Sequence, residues 1–218
     1  MKIYGIIRKY VAFDTFGWLA VASIILCAVS GALLAVPYNV ADPYLSVTRF
    51  VTANPAASLL RNIHYWSAQL FLILTIIHIV DHLFKGTESN IKKKSLWFRL
   101  TLSLIFTIYV MLSGFILKAD GDSLQAQRIL SSLVGSLPWI GSILQQTFIG
   151  TEGNFQVLYI QHAATATVIL FVIIMEHARS LKVRLSTLLV TVGIITIISF
   201  IFRAPINGLN DAVMKGPW

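Results

Sequence analysis

Residues 61–82 read RNIHYWSAQLFLILTIIHIVDH, and this stretch is the clearest indication of the fold in the sequence. From Asn62 to Val80 it contains no Asp, Glu, Lys or Arg, and its apolar residues form one nearly continuous run. An α-helix needs about 20 apolar residues to cross a bilayer, and backbone polar groups at that depth are satisfied only in helices or closed barrels. The stretch therefore predicts a transmembrane helix that carries two histidines, His64 and His78.

Four further runs of the same kind predict four more transmembrane helices, at about 16–36, 96–117, 155–175 and 185–202. The composition agrees with this interpretation, because a soluble domain has about 25% charged residues, whereas this chain of 218 residues has 12% charged and 56% hydrophobic residues. We predict an all-α integral membrane protein, in which a bundle of four helices is followed by a fifth transmembrane helix.

The charge distribution indicates an orientation in the membrane. The net charge of +8 is spread between long uncharged runs, so it does not form the basic stripe of a nucleic-acid-binding protein. Lys and Arg are concentrated at the N-terminus and after the second and fourth spans, which predicts a cytoplasmic N-terminus and external connectors at 37–61 and 118–154. We expect the location to be a bacterial cytoplasmic membrane. The single cysteine, Cys27, cannot form a disulfide framework or a thiolate metal cluster.

Four histidines lie at matched depths in the second and fourth spans. His64 and His78 are 14 residues apart, which returns to within about 40° of one helix face over a rise of about 21 Å. His162 and His177 are 15 residues apart, within about 60° of one face and about 22 Å of rise. Because both helices run from outside to inside, we expect one outer and one inner pair. Two facing imidazoles per level suit bis-histidine haem, and zinc fits poorly because no cysteine or carboxylate completes either pair.

Each histidine or glycine, considered alone, also has an interpretation that does not involve haem. A single histidine in a membrane helix is commonly a polar packing or headgroup-contact residue, and His82, beyond the end of the span, fits that role best. Glycines support a macrocycle in the bundle: Gly17 and Gly31 are 14 residues apart in the first span, and Gly114 lies at the outer end of the third. Ordinary helix packing explains one such glycine, but it does not explain the repeated interval.

These residues resemble the haem-containing part of cytochrome b from the bc and b6f quinol-oxidising complexes, over most of the chain. The motif Arg61-Asn-Ile-His64, followed by 13 residues and His78, is similar to that of the family's second helix. The resemblance implies two non-covalent haem b groups. The outer one would be bound by His64 and His162 and the inner one by His78 and His177, with Arg61 paired to an outer propionate. The step of 15 residues to His177 resembles the b6 branch.

The resemblance also implies two quinone sites. The external stretch 125–150 is similar to a pair of short surface helices, here expected at about 122–148, that wall the outer quinol site. The candidates for this site are Ser136, Leu137, Pro138, Trp139, Pro217 and Trp218. The candidates for the inner quinone site are Asp81, His82 and Lys182. The implied domains are a di-haem domain at 1–184 and a fifth helix with an external tail at 185–218.

The chain departs from the family pattern at several places. The tail reads Lys215-Gly-Pro-Trp218 where the family has Pro-Glu-Trp-Tyr, whose glutamate accepts a proton from quinol. The candidate acceptors in this chain are Glu152, Asp120 and Asp122. Leu100 replaces an inner glycine, and Asp81 replaces a basic residue expected near the inner propionates. Thr15 replaces the cysteine that holds an additional covalent haem in the b6 branch, so no such haem is expected.

The implied function is a subunit, inactive alone, of a quinol oxidoreductase that reduces a c-type cytochrome or a plastocyanin-like acceptor and translocates protons in a Q-cycle. The implied partners are a Rieske-type iron–sulfur protein, a c-type cytochrome and a separate polypeptide with the family's remaining C-terminal helices, in a homodimeric complex surrounded by lipid. An alternative is the di-haem membrane anchor of a hydrogenase, formate dehydrogenase or nitrate reductase, although the long external connector disfavours it. A haem-free transporter or scaffold subunit would not need paired histidines.

Overall fold

Long uncharged stretches with few helix-breaking residues form the main helices of this protein. The computed structural model describes residues 14–86, 94–151, 153–178 and 184–208. Four helices are long and apolar enough to cross a membrane, within Phe16–Ala35, Pro55–Phe84, Lys94–Ile116 and Gln156–His177. A fifth apolar helix, Leu185–Ile201, is shorter, with 17 residues. The described ranges contain helices and no strand, which confirms the prediction of an all-α membrane bundle.

The helices are numbered here in chain order. The first three are α1 (Asp14–Ala35), α2 (Pro43–Ala53) and α3 (Pro55–Phe84). They are followed by α4 (Lys94–Ile116), α5 (Gly121–Gly135) and α6 (Gly141–Leu144), which continues into a π-helical turn at Gln145–Ile149. Helix α7 covers Gln156–His177 and contains a π-helical turn at Gln161–Thr165, and α8 covers Leu185–Ile201. The end of the bundle that carries α5 and α6 is called the outer end below.

Helix α2 and the first turns of α3 lie within 37–61, where the sequence analysis predicted a connector and no helix. Each helix begins with a side-chain cap followed by proline: Asp42 accepts a hydrogen bond from the amide of Leu45, and Asn54 accepts one from the amide of Ala56. Capping residues and a first-turn proline are helix-start signals. The same residue types also favour turns, so the prediction placed the start of α3 too late.

The core of the bundle lies between α1, α3 and α7. Its buried apolar residues are Ala20, Ile24, Phe71, Leu74 and Leu170. A second buried cluster lies where the outer connector meets α7, and it consists of Ile116, Leu117, Ala119, Phe155 and Leu158. Many other apolar side chains on the long helices are exposed, among them Val168 and Ile197, as expected for surfaces that face lipid. The first cluster holds α3 and α7, the histidine-bearing helices, together, and the second attaches the outer connector to α7.

Residues 203–208, the segment that follows α8, are hydrogen-bonded to the outer end of the bundle. Arg61 donates from Nη1 to the carbonyl of Ala204 at 2.9 Å and from Nη2 to that of Pro205 at 2.8 Å. Asn62 accepts from the amide of Ala204 at 3.0 Å, and the amide of Asn207 donates to Asp120 at 2.8 Å. The segment therefore joins α3 to the connector that begins at Lys118.

Candidate functional site

The structure brings the four histidines together as two pairs at two levels of the bundle. The ring centroids of His64 and His162 are 6.2 Å apart, with 83° between the ring planes. Those of His78 and His177 are 6.3 Å apart, with 68° between the planes. In each pair one ring comes from α3 and the other from α7, so the two helices face each other across both sites.

The separation within each pair fits a metal ion held between two imidazoles. A bond from a metal to an imidazole nitrogen is about 2 Å long, so two rings that bind one ion from opposite sides have centroids roughly 6 Å apart. In the described part of the chain, no group of three or more His, Cys, Asp or Glu side chains is arranged to hold a metal ion. Each pair thus offers two facing nitrogen ligands, the number that a planar macrocycle with its own four nitrogens needs from a protein.

The hydrogen bonds of the outer histidines involve Nδ1 and leave Nε2 available to coordinate a metal. His64 Nδ1 lies 3.0 Å from the carbonyl oxygen of Cys27 on α1, and His162 Nδ1 lies 2.9 Å from that of Val110 on α4. A carbonyl oxygen only accepts, so both Nδ1 atoms carry the proton. The unprotonated Nε2 atoms can then coordinate a metal, and the hydrogen bond on the opposite nitrogen fixes the orientation of each ring.

Gly31 and Gly114 make room for these two rings. A Cβ atom at Gly31 would lie 2.8 Å from Cε1 of His64, and one at Gly114 would lie 2.6 Å from Cε1 of His162. Both distances are shorter than a normal carbon–carbon contact. The sequence prediction assigned these glycines to packing against the macrocycle, whereas their contacts here are with the ligand rings. Gly17 is buried in α1.

The inner pair lies among ionisable side chains. His82 is adjacent to His78, with ring centroids 4.4 Å apart. Asp81 is buried and forms an ion pair with Lys85, at 2.5 Å between Oδ2 and Nζ. His78 Nδ1 is buried, and it has no hydrogen-bond partner among the residues that the structure describes. Two of the inner quinone candidates, Asp81 and His82, therefore lie at this level, and the third, Lys182, is outside the described residues.

An ion pair beside His177 was not predicted from the sequence. Arg99 Nη1 on α4 lies 2.5 Å from Glu176 Oε2 on α7, and both side chains are about half exposed. Together with Leu100, which replaces the family's inner glycine, these residues line a small cavity next to His177. The sequence feature that could have indicated this ion pair is Glu176, which directly precedes the candidate ligand His177.

The outer quinol candidates lie in the turn after α5. Trp139 has a positive φ of 64° and its side chain is 95% exposed. A cavity of about 450 Å³ lies between α5 and α6 and is lined by Gln127, Arg128, Ser131, Ser132, Gly135 and Gln145. Gln127 is buried, and within the described ranges neither of its amide atoms has a hydrogen-bond partner. No pattern in the sequence indicates Gln127, because its burial depends on tertiary packing. Pro217 and Trp218 are outside the described residues.

The candidate proton acceptors differ in their surroundings. Asp120 is completely buried and accepts hydrogen bonds from Lys118 Nζ at 2.7 Å and from the amides of Asn207 and Ser123. Burial alone would raise the pKa of Asp120, but these hydrogen bonds outweigh it and hold the pKa below its usual value. A carboxylate in this state favours a structural role. Asp122 accepts from Asn207 Nδ2 at 2.5 Å, and Glu152 lies outside the described ranges.

Arg61 lies at the outer end of α3, three residues before His64. Two of its five N–H donors bind the carbonyls of Ala204 and Pro205. Its place near the outer pair agrees with the expected propionate contact, and it also fixes the segment 203–208, which the sequence did not predict.

A comparison with protein families gives an independent result. The family model described as Cytochrome b/b6/petB matches residues 7–184. The match includes both histidine pairs and the outer connector, and it ends directly before α8.

Proposed function

Because the chain belongs to the cytochrome b/b6 family and is therefore a haem b subunit of a membrane oxidoreductase complex, we propose that it is the di-haem subunit of a quinol-oxidising complex. The paired histidines at two depths are the observation that carries this proposal. We propose a quinol:cytochrome c reductase, or one with a plastocyanin-like acceptor, that links quinol oxidation to proton translocation in a Q-cycle. The N-terminus would be cytoplasmic, in a bacterial membrane.

The ligands of the two haems would be the histidine pairs. His64 and His162 would bind the outer haem b and His78 and His177 the inner one, without covalent attachment. When bound, the haems would supply one-electron redox chemistry at two depths of the membrane. Arg61 would bind an outer propionate with its remaining donors. The residues of the chain hold the ligand rings at a fixed separation and orientation.

The outer quinol site would lie beside the connector that contains α5 and α6. The turn at 136–139 would form one wall together with Pro217 and Trp218, and the cavity beside Gln127 offers an unpaired amide that could hydrogen-bond a quinol hydroxyl. Asp122, Glu152 or a carboxylate of a partner would take the proton, since the carboxylate of Asp120 already accepts hydrogen bonds from Lys118, Ser123 and Asn207. The two short helices and the cavity favour this function over a simple membrane anchor.

The inner quinone site would lie near Asp81, His82 and Lys182. Quinone reduction consumes protons, and these residues would supply them from the cytoplasmic side. Asp81 is buried three residues after His78 and forms an ion pair with the partly exposed Lys85, so this pair would exchange protons close to the inner level. His82, whose ring lies against that of His78, would also supply protons to the quinone.

Members of this family work in multi-subunit complexes, and we propose three partners for this chain. A Rieske-type iron–sulfur protein would accept the first electron from quinol, and a c-type cytochrome would receive it next. The third partner would be a separate polypeptide with further cytochrome b helices, on which the partner carboxylate named above would lie. The complex would be homodimeric.

The test is quinol oxidation by the complex purified from its native membrane. We expect electron transfer from a quinol to a c-type cytochrome, with loss of at least 100-fold in the rate for His64→Leu, because the outer ligand pair is broken. Gly193→Ala in α8 serves as the control, because a Cβ at Gly193 meets no described atom within 4 Å, and it should keep electron transfer from quinol to a c-type cytochrome. A wild-type complex that contains haem b but oxidises no quinol would contradict this function.

A further inference from the structure

The pentapeptides at 27–31, CAVSG, and 110–114, VMLSG, share a Ser-Gly pair at the same offset. The first lies in α1 and the second in α4, the two helices that flank the outer histidine pair. In each segment the first residue, the serine three positions later and the glycine after it approach one imidazole. The two outer ligands therefore meet the same arrangement from two different helices.

On the α1 side the arrangement surrounds Nδ1 of His64. This atom lies 3.0 Å from the carbonyl oxygen of Cys27 and 3.4 Å from the hydroxyl of Ser30. The thiol sulfur of Cys27 is 3.6 Å away. The close approach is possible because Gly31 has no side chain.

On the α4 side the same contacts form around Nδ1 of His162. This atom lies 2.9 Å from the carbonyl oxygen of Val110 and 3.2 Å from the hydroxyl of Ser113. Gly114 leaves the space for the ring. Val110 has no polar side-chain atom, so the features common to both sides are the carbonyl, the serine and the glycine.

The direction of the serine contacts follows from the single hydroxyl proton. Ser30 donates to the carbonyl of Leu26 at 2.8 Å, with Cys27 O also within 3.0 Å, and Ser113 donates to that of Val110 at 2.9 Å. Both serines are buried. With its proton directed to the helix backbone, each hydroxyl presents a lone pair to the imidazole and accepts from Nδ1–H. Each Nδ1 proton is thus shared between a carbonyl and a hydroxyl.

The inner level does not repeat the arrangement. Counting back 14 residues, the interval between Gly31 and Gly17, gives Phe16-Gly17 in α1 and Arg99-Leu100 in α4. Phe16 and Arg99, the two residues at the positions of the serines, have no such hydroxyl, and in the described part of the chain the buried Nδ1 of His78 has no hydrogen-bond partner. The inner pair therefore serves as an internal reference for any effect of the serines.

We propose that Ser30 and Ser113 are positioning residues for the outer ligands, which keep the proton on Nδ1 and raise the basicity of Nε2; this rests on the proposed haem ligation. A more basic ligand stabilises ferric over ferrous iron. The serines therefore lower the midpoint potential of the outer haem and leave the inner one unchanged. Ser113, at the shorter distance, has the larger effect.

The experiment uses the intact complex with Ser30→Ala, Ser113→Ala and the double variant. Haem content is measured first, and then the midpoint potentials of both haems and the low-temperature electron paramagnetic resonance spectrum. We expect both haems to be retained, with the outer potential shifted to a more positive value and an altered outer low-spin signal. Ser113→Thr, which keeps the hydroxyl, should restore the wild-type potential.

Matched controls come from the same two helices. Ser23 in α1 is buried and donates to the carbonyl of Leu19 at 2.8 Å, and Thr107 in α4 is buried and donates to that of Ser103 at 2.8 Å. Within the described residues neither is hydrogen-bonded to a histidine. Ser23→Ala and Thr107→Val should leave the outer potential unchanged.

Two results would overturn the proposal: an unchanged outer potential in the double variant, or an equal shift in a control variant. Loss of the outer haem alone in Ser113→Ala, with retention in Ser113→Thr, would support the positioning role through affinity instead of potential. Failure of the underlying haem ligation is recognised separately, because the wild-type complex would then contain fewer than two haem b groups per chain.

Discussion

The outer and inner histidine pairs have nearly the same ring separation, 6.2 Å and 6.3 Å, but very different surroundings. The outer rings are held by backbone carbonyls from α1 and α4 and lie against two glycines. The inner rings lie among ionisable groups, and among the described residues His78 Nδ1 has no hydrogen-bond partner. Helix periodicity thus places one histidine of each helix at each level, whereas packing fixes the outer rings more strongly than the inner ones.

The ion pairs at the outer and inner ends of the bundle also differ, in the burial of their side chains. At the outer end, Lys118 and Asp120 form a pair that is buried on both sides, at 2.7 Å. At the inner end, Arg99 and Glu176 form a pair at 2.5 Å whose side chains are about half exposed. Removal of one partner from a buried pair leaves an uncompensated charge, while an exposed pair exchanges its partner for water. We therefore expect changes at the outer end to have the larger effects.

The largest effect on haem binding is expected for Gly114→Ala. The new Cβ would lie 2.6 Å from Cε1 of His162, whose ring is fixed by its hydrogen bond to Val110. We expect outer haem affinity to fall by about 10–100-fold, while the inner haem is retained. The pyridine haemochrome assay measures haem content, and Gly193→Ala is the control because a Cβ at Gly193 meets no atom within 4 Å. Full retention of both haems in Gly114→Ala would show that the outer level is less rigid than described.

The second prediction concerns the free energy of unfolding and its dependence on the buried carboxylate of Asp120. Because hydrogen bonds hold its pKa below the usual value, its stabilising contribution is complete above the unfolded-state pKa of about 3.9. The contribution is lost as the pH falls through the lower pKa of the folded state. Asp120→Asn should lose about 3–5 kcal/mol at neutral pH, because Lys118 is left buried without a counter-charge.

Denaturant unfolding in detergent at several pH values between 3 and 7 measures this effect. The wild type should lose stability below about pH 4, the unfolded-state value for aspartate, and Asp120→Asn should lack that part of the pH dependence. Asp42→Asn is the control, because Asp42 is an exposed N-cap and asparagine caps equally well. Equal pH profiles for the wild type and Asp120→Asn would contradict the assigned role.

The smallest effect is expected at the exposed inner pair. Arg99→Gln and Glu176→Gln should each change the free energy of unfolding by less than about 1 kcal/mol. A double-mutant cycle should give a coupling of about 0.2–1 kcal/mol that decreases with added salt. A coupling above that range, independent of salt, would mean that the inner end is as tightly built as the outer one.

The sequence predicts the histidine pairs well because a regular helix converts residue intervals directly into depth and face. The helix starts at Pro43 and Pro55 were missed, since capping residues and proline also favour turns. The Arg99–Glu176 pair joins residues 77 positions apart, so neither residue indicates the other. The burial of Gln127 and the carbonyl partners of Arg61 depend in the same way on segments that meet only in the folded chain.

The central claim is that each histidine pair holds one haem b. The most direct measurement is the haem b content per chain of the purified complex, for the wild type and for His162→Leu and His78→Leu. We predict two haems in the wild type and one in each variant, with the remaining haem differing in potential between the two variants. A wild-type complex with fewer than two haem b groups per chain, or a variant that keeps both, would contradict the account.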